Sequence, residues 1–129
     1  MNLKIHYPHQ QTLDFIKAAG YPYEWPLHTF QDFAFVLAVY HKNKIAGYIW
    51  FTAVSDTYKI LEIHVAIDKQ YHGKWLTRNL FLQIKYIATL LDARGLLLVH
   101  EGWATEKRKR HAELLGFTVA SPFAFMEIK

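Results

Sequence analysis

Between residues 58 and 100 the chain reads strand, long helix, strand, and this passage limits its folding more than any other. YKILEIHVAI (58–67) has the composition of a strand. WLTRNLFLQIKYIATLLDARG (75–95) carries Leu76, Leu80, Ile84, Ile87 and Leu91 on one helical stripe. LLLVH (96–100) is then almost wholly apolar, as a parallel strand covered on both faces must be. Two parallel strands can be joined only by a crossover over the sheet, and here the helix supplies it.

Around this unit the pattern gives a strand at 2–7, a helix at 10–20 on Leu13, Ile16 and Lys17, and a loop at 21–28 with two prolines. FAFVLAVYH (33–41) and IAGYIWFTAV (45–54) form a hairpin about the turn HKNK (41–44). TEKRKRHAELLGF (105–117) is a helix between Thr105 and Gly116, and two strands flank Ser121-Pro122. The order is β-α-β-β-β-α-β-α-β-β, an α/β (α+β) fold with a mixed central sheet and helices on both faces. No repeat or linker divides residues 1–129, so one domain is expected.

With 52% hydrophobic and 20% charged residues the composition is that of a globular domain, and the 16% aromatic share points to ring-rich packing or a ring-lined surface. The absence of cysteine excludes disulfides and thiolate chemistry. The amino terminus has no leader pattern, and no apolar run reaches the roughly 18 residues of a membrane span. A cytoplasmic protein without membrane contact is expected. The net charge of +4 suits an anionic ligand. The eight histidines are scattered without metal-ligand spacing, so no metal site is expected.

IDKQYHGKWLTRNLF (67–81) and RHAELLGF (110–117), in this element order, resemble the GNAT superfamily of acetyl-coenzyme A-dependent N-acetyltransferases. That family runs Val-x-Pro-x-Tyr and then Arg/Gln-x-x-Gly-x-Gly/Ala into a helix. Ile67 stands at the Val, Tyr71 at the aromatic, His72 at the Arg/Gln and Leu80 at the helical Leu; Gly116 and Phe117 match the second region. Trp75 replaces the first glycine, Thr77 the second small residue, and Ala112 a tyrosine that protonates the departing thiolate in many members. The Gly73-Lys74-Trp75 variant also resembles short GNAT-like proteins of tailed bacteriophages, where a virion location would apply.

The resemblance implies acetyl-coenzyme A as co-substrate and a small-molecule or protein amine as acceptor. It places the cofactor against Val65, Ile67, His72, Gly73, Lys74, Trp75, Leu76, Thr77 and Arg78, where a helix amino terminus offers unpaired N–H groups to a pyrophosphate. Glu62 and His64, two apart on a strand, share a face and could take the amine proton; His111 could stand in for the missing tyrosine. His100 and Glu101 end a buried strand, where a crossover presents side chains to a crevice. The alternatives are a plain corner at 71–80 with Trp75 as an anchor, an interior histidine at 64, and a catalytically degenerate member with a binding or structural role. The run EKRKRH (106–111) reads as a solvated face, or as contact with the cofactor's 3′-phosphate or with nucleic acid; no stacking platform accompanies it, so nucleic acid is not the expected partner. Tyr21, Tyr23, Trp25 and Phe30 lie where family members shape an acceptor pocket, and equally suit a homodimer or assembly surface.

Overall fold

The structure, a computed structural model, describes residues 1–21, 24–99 and 105–128. Its elements are β1 (Asn2–His6), α1 (Gln10–Ala18), α2 (Leu27–Phe33), β2 (Phe35–His41), β3 (Lys44–Ser55), β4 (Ile60–Ile67), a 3-10 turn (Lys69–Tyr71), α3 (Arg78–Leu90), β5 (Gly95–Val99), α4 (Glu106–Leu115), β6 (Thr118–Ala120) and β7 (Phe123–Glu127). The strands follow the order β1-β2-β3-β4-β5-β7-β6 in a seven-stranded mixed sheet, the expected α/β architecture. The chain divides into two compact units, Met1–Thr52 with His64–Leu80 and Ala53–Ile63 with Phe81–Lys129.

In the first unit β1, β2 and β3 form an antiparallel meander. Lys42 and Asn43 take φ of 51° and 65°, the left-handed pair that closes a two-residue hairpin between His41 and Lys44. Strand alternation sends Val36, Ala38, Tyr48, Trp50 and Ala66 to one face, where Leu13 and Ile16 of α1 and Phe30 of α2 cover them. Leu37, Val39, Ile49 and Phe51, which point the other way, are also buried. This explains why β2 reads as an unbroken apolar run. Thr12 pins α1 to the end of β1: its hydroxyl accepts from the His9 N–H at 3.1 Å and bonds His6 Nε2 at 2.8 Å.

The helix α2 departs from the loop expected at 21–28. Proline lacks only a donor that a helix's first turn leaves unused, and the Pro26 carbonyl accepts the Phe30 N–H at 3.1 Å. The seven-residue helix is held by packing: Phe30 is fully buried and stacks on Trp25 at 5.3 Å. The helix α3 is shorter than the expected 75–95. Thr77 caps it by accepting the Leu80 N–H at 3.1 Å, and Asp92 at φ 63° ends it, which leaves Leu91 beyond the last turn and 38% exposed. Leu80, Phe81, Ile84 and Ala88 form its buried stripe.

In the second unit β4 pairs parallel with β5 from Ile60↔Gly95 to Glu62↔Leu97. The strand β5 then pairs antiparallel with β7, and β7 with β6. Ala112 is the buried residue of α4, which ends at Gly116 with φ 105°. Lys107, Arg108, Arg110 and His111 are exposed on it.

Gly47 sets the spacing of β3 against β4. A β-carbon there would lie 2.6 Å from Ile67 Cδ1 and closer still to the Ala66 carbonyl oxygen. The ladder shifts register between Val39 and Tyr40, skipping Ala46, whose carbonyl accepts the Asp68 N–H at 2.8 Å. The exit of β4 is thus tied to β3 through the backbone. Gly47→Ala is expected to lower the unfolding free energy by about 1–3 kcal/mol, as overpacking does, in urea titration; an unchanged midpoint would show that the strands separate freely.

Candidate functional site

The inner face of β3 and β4 carries one polar cluster within its apolar surroundings. His64 shares the face of Ala66, and Thr52 the face of Trp50, so both point toward the α1–α2 layer. His64 Nδ1 lies 2.7 Å from the Tyr21 hydroxyl and Nε2 lies 2.9 Å from Thr52 Oγ1. Its ring stacks on Trp50 at 5.3 Å and 14°. Tyr21 follows Gly20, whose φ of 93° turns the chain out of α1, and its ring meets Trp50 at 5.0 Å. Burial pushes the imidazole down to about 4, so His64 is neutral at pH 7. A neutral imidazole donates through one nitrogen and accepts through the other, and both of these have partners. His64 is therefore a hydrogen-bonded link in a chain of hydroxyls.

The turn after β4 forms a second group. His72 Nε2 donates to the Ile67 carbonyl at 2.9 Å, which fixes its tautomer, and the Asp68 carboxylate accepts the Gln70 N–H at 3.1 Å. Gly73, at φ 78° with open space where a β-carbon would stand, reverses the chain. Trp75 is half-buried and is not among the positive-φ residues, so the indole imposes no left-handed strain where the resembled motif has glycine. His72, Gly73, Lys74, Thr77 and Arg78 are exposed, Leu76 is half-buried and Ile67 is buried. With the Leu80 N–H taken by Thr77, the Arg78 and Asn79 amides at the start of α3 still have no carbonyl four residues back to bond.

Val65 is half-buried on the face of β4 opposite His64. Glu62 is half-buried in the second unit, and burial raises its carboxyl above the ordinary range. His111 is exposed on α4 beside buried Ala112, so the two side chains leave the helix in different directions. His100, Glu101 and Tyr23 lie outside the described residues. Among the described residues no three His, Asp or Glu side chains gather as a metal site would require, and no helix is long and apolar enough to cross a membrane. Thr52 and the hydroxyl of Tyr21 were not expected at the site. The signal for Thr52 was a hydroxyl two residues from Trp50 in an otherwise apolar strand; Tyr21 had none beyond its ring.

No family model matches the chain. No curated protein matches it. Solved structures do. A protein assigned to the GNAT family of acetyltransferases from Desulfovibrio desulfuricans is similar with a TM-score of 0.70 at 12% identity, over 99% of each chain. Spermidine N-acetyltransferase from Vibrio cholerae in complex with CoA and spermine is similar with a TM-score of 0.72 at 14% identity, over 97% of this chain and 95% of that one. The spermidine/spermine N-acetyltransferase SpeG from the same organism, with manganese, gives 0.74 at 13% identity, over 97% and 92%. The chain has the fold of these acetyltransferases.

The depressed imidazole makes a pH prediction. The unfolded chain takes up the His64 proton near 6.5, whereas the fold resists it until about 4. His64 therefore contributes stability in full above about 6.5 and loses it as the pH falls toward 4. His6, lowered by burial and by His9, acts with the same sign. Glu62, raised by burial, acts with the opposite sign and partly offsets them. His64→Gln is expected to flatten the dependence of melting temperature on pH between 6.5 and 4; an equally steep curve would exclude a buried neutral ring.

Proposed function

We propose that this chain is an N-acetyltransferase that moves an acetyl group from acetyl-coenzyme A to an amine. The observation that carries the reading is the match of 97% of the chain to an acetyltransferase crystallised with CoA and spermine. The turn at 72–78 fits a pyrophosphate: Gly73 leaves its outer side open, and the Arg78 and Asn79 amides head α3. Lys74 and Arg78 add two positive charges, while Trp75 reaches this point without strain. In this reading Val65 and Ile67 supply backbone to the pantetheine arm, and His72, Trp75, Leu76 and Thr77 shape the turn. Thr77 acts as the helix cap rather than as a direct donor.

The chemistry asked of the protein is modest. The amine must lose a proton and the thiolate must leave, and a thiolate leaves readily because its pKa lies near about 8.5. Positioning can then supply on the order of 7–11 kcal/mol of the barrier. Glu62, its carboxyl raised by burial, is the candidate base; His64 orients and links hydroxyls; His111 is the candidate acid. Polyamines are the first acceptors to try, since neighbours of this fold take them.

One feature favours a second reading. Ala112 is packed where many relatives of the resembled family carry the acid tyrosine, which suits a scaffold retained for binding or assembly, as in a phage particle. Two measurements separate the readings. Calorimetry should show coenzyme A binding that weakens roughly tenfold in Lys74→Ala/Arg78→Ala, since two charges at a helix start contribute about 1–2 kcal/mol together. Acetyl transfer to a polyamine should fall about 10²–10⁴-fold in Glu62→Gln. Binding without any transfer would favour the scaffold, and no binding at all would remove both roles for the turn.

A further inference from the structure

We propose that the acceptor is a primary amine with an apolar, ring-bearing body, which docks on the open sheet face of the second unit with its nitrogen toward Glu62. The inference rests on the transferase reading above and narrows its acceptor. It is carried by the register of four strands. Glu62 of β4 stands opposite Leu97 of β5, Leu97 opposite Phe125 of β7, and Phe125 opposite Thr118 of β6. Opposed residues share a face, so this row runs straight across the sheet. The next row along is Val99, Phe123 and Ala120. Val99 is 46% exposed, Phe123 48% and Phe125 39%, a contiguous apolar surface of the kind that marks a binding site.

The reverse face is closed. Leu96, Ala124 and Met126 are buried on it, and Met126 Cε lies 3.0 Å from where a β-carbon on Gly116, at the end of α4, would stand. The basic run of α4 at 107–110 therefore belongs to the far side of the sheet from Glu62. On the open face the charged residues of β4, β5, β6 and β7, among those described, are Glu62 and Glu127. The face is thus acidic in a chain of net charge +4, which suits a cation. Glu127 stands opposite Gly95, on the other side of the Glu62 row from Val99. Gly95 also keeps the surface low: the Phe125 ring lies over it, 2.9 Å from where a β-carbon would be.

Sheet geometry puts Val99 about 8 Å from Glu62, one strand over and two residues on. An arylethylamine has that reach. With its ammonium at the carboxylate, its ring falls over Leu97, Val99 and Phe123, where ring meets ring. A polyamine held the same way brings further ammonium groups onto these side chains, where no strand carboxylate meets them. Burying a charge unpaired is costly. The preference therefore comes from the apolar residues, while Glu62 keeps its role as base in that reading.

The test compares 2-phenylethylamine with spermidine as acceptors for the whole protein. Wild type should give 2-phenylethylamine a kcat/KM at least about tenfold above that of spermidine, within the range that apolar contacts supply. Val99→Thr, which keeps the shape, and Phe123→Ser should each narrow that ratio about fivefold. Both positions are exposed, so the fold should stand, and an unchanged melting temperature checks it. A smaller ratio in wild type, or one that neither substitution moves, overturns the inference and leaves the transferase in place. A second arm needs no turnover: methyl NMR with 2-phenylethylamine added in the presence of coenzyme A. The Leu97 and Val99 methyl signals should shift as the ring settles over them. Signals that stay in place overturn the inference whatever the turnover. Shifted signals without acetylation of either amine sink the transferase reading alone.

Discussion

A polar ring set into an apolar sheet face costs free energy unless each of its polar atoms is bonded, and His64 is the place where this chain meets that demand. Tyr21 and Thr52 satisfy the two nitrogens from two different elements, the segment after α1 and the strand β3. The bonds therefore act as rivets between β4, β3 and the end of α1. Around them Trp50, Phe30 and Trp25 pack ring on ring, so the hydrogen bonds lie in surroundings of low polarity where they are strong. Where losing one partner strands a shielded polar atom, the cost exceeds what the bond itself contributed.

The sheet and the long crossover helix were legible because their signals are periodic and redundant. Residues 33–54 carry a hairpin turn between two apolar runs, and β5 is apolar without interruption. The helix α2 was illegible because nothing local favours it: it follows a proline and owes its existence to Phe30 finding a pocket beneath Trp25. Boundaries failed for a similar reason, since the end of α3 is set by Asp92 in a left-handed conformation that composition does not advertise. At the candidate site, His64 was legible as a strand histidine with an interior, bonded ring among the alternatives, but its partners were not. Those are Tyr21, 43 residues away, and Thr52, 12 away.

The departures from the resembled motif separate into two kinds. A tryptophan for glycine at position 75 would be prohibitive if the backbone there were left-handed, and it is not; the reversal is made at Gly73. The substitution changes the surface of the turn rather than its path. The alanine at 112 is different, because it removes a hydroxyl rather than a conformation, and the neighbouring His111 leaves the helix toward solvent. The turn thus keeps a glycine reversal ahead of a helix start, while its side chains differ from those of the resembled motif.

The bond from Tyr21 to His64 also turns α1 into a ruler. The helix begins where Thr12 is clamped to β1 and ends where Gly20 swings the backbone aside, one residue before the tyrosine. One residue added between these points would wind the tyrosine about 100° around the axis and take its hydroxyl off the imidazole. Length variation within this lineage should therefore collect in the Lys42–Asn43 bend, which touches none of these parts, and spare the segment from Gln10 to Tyr21.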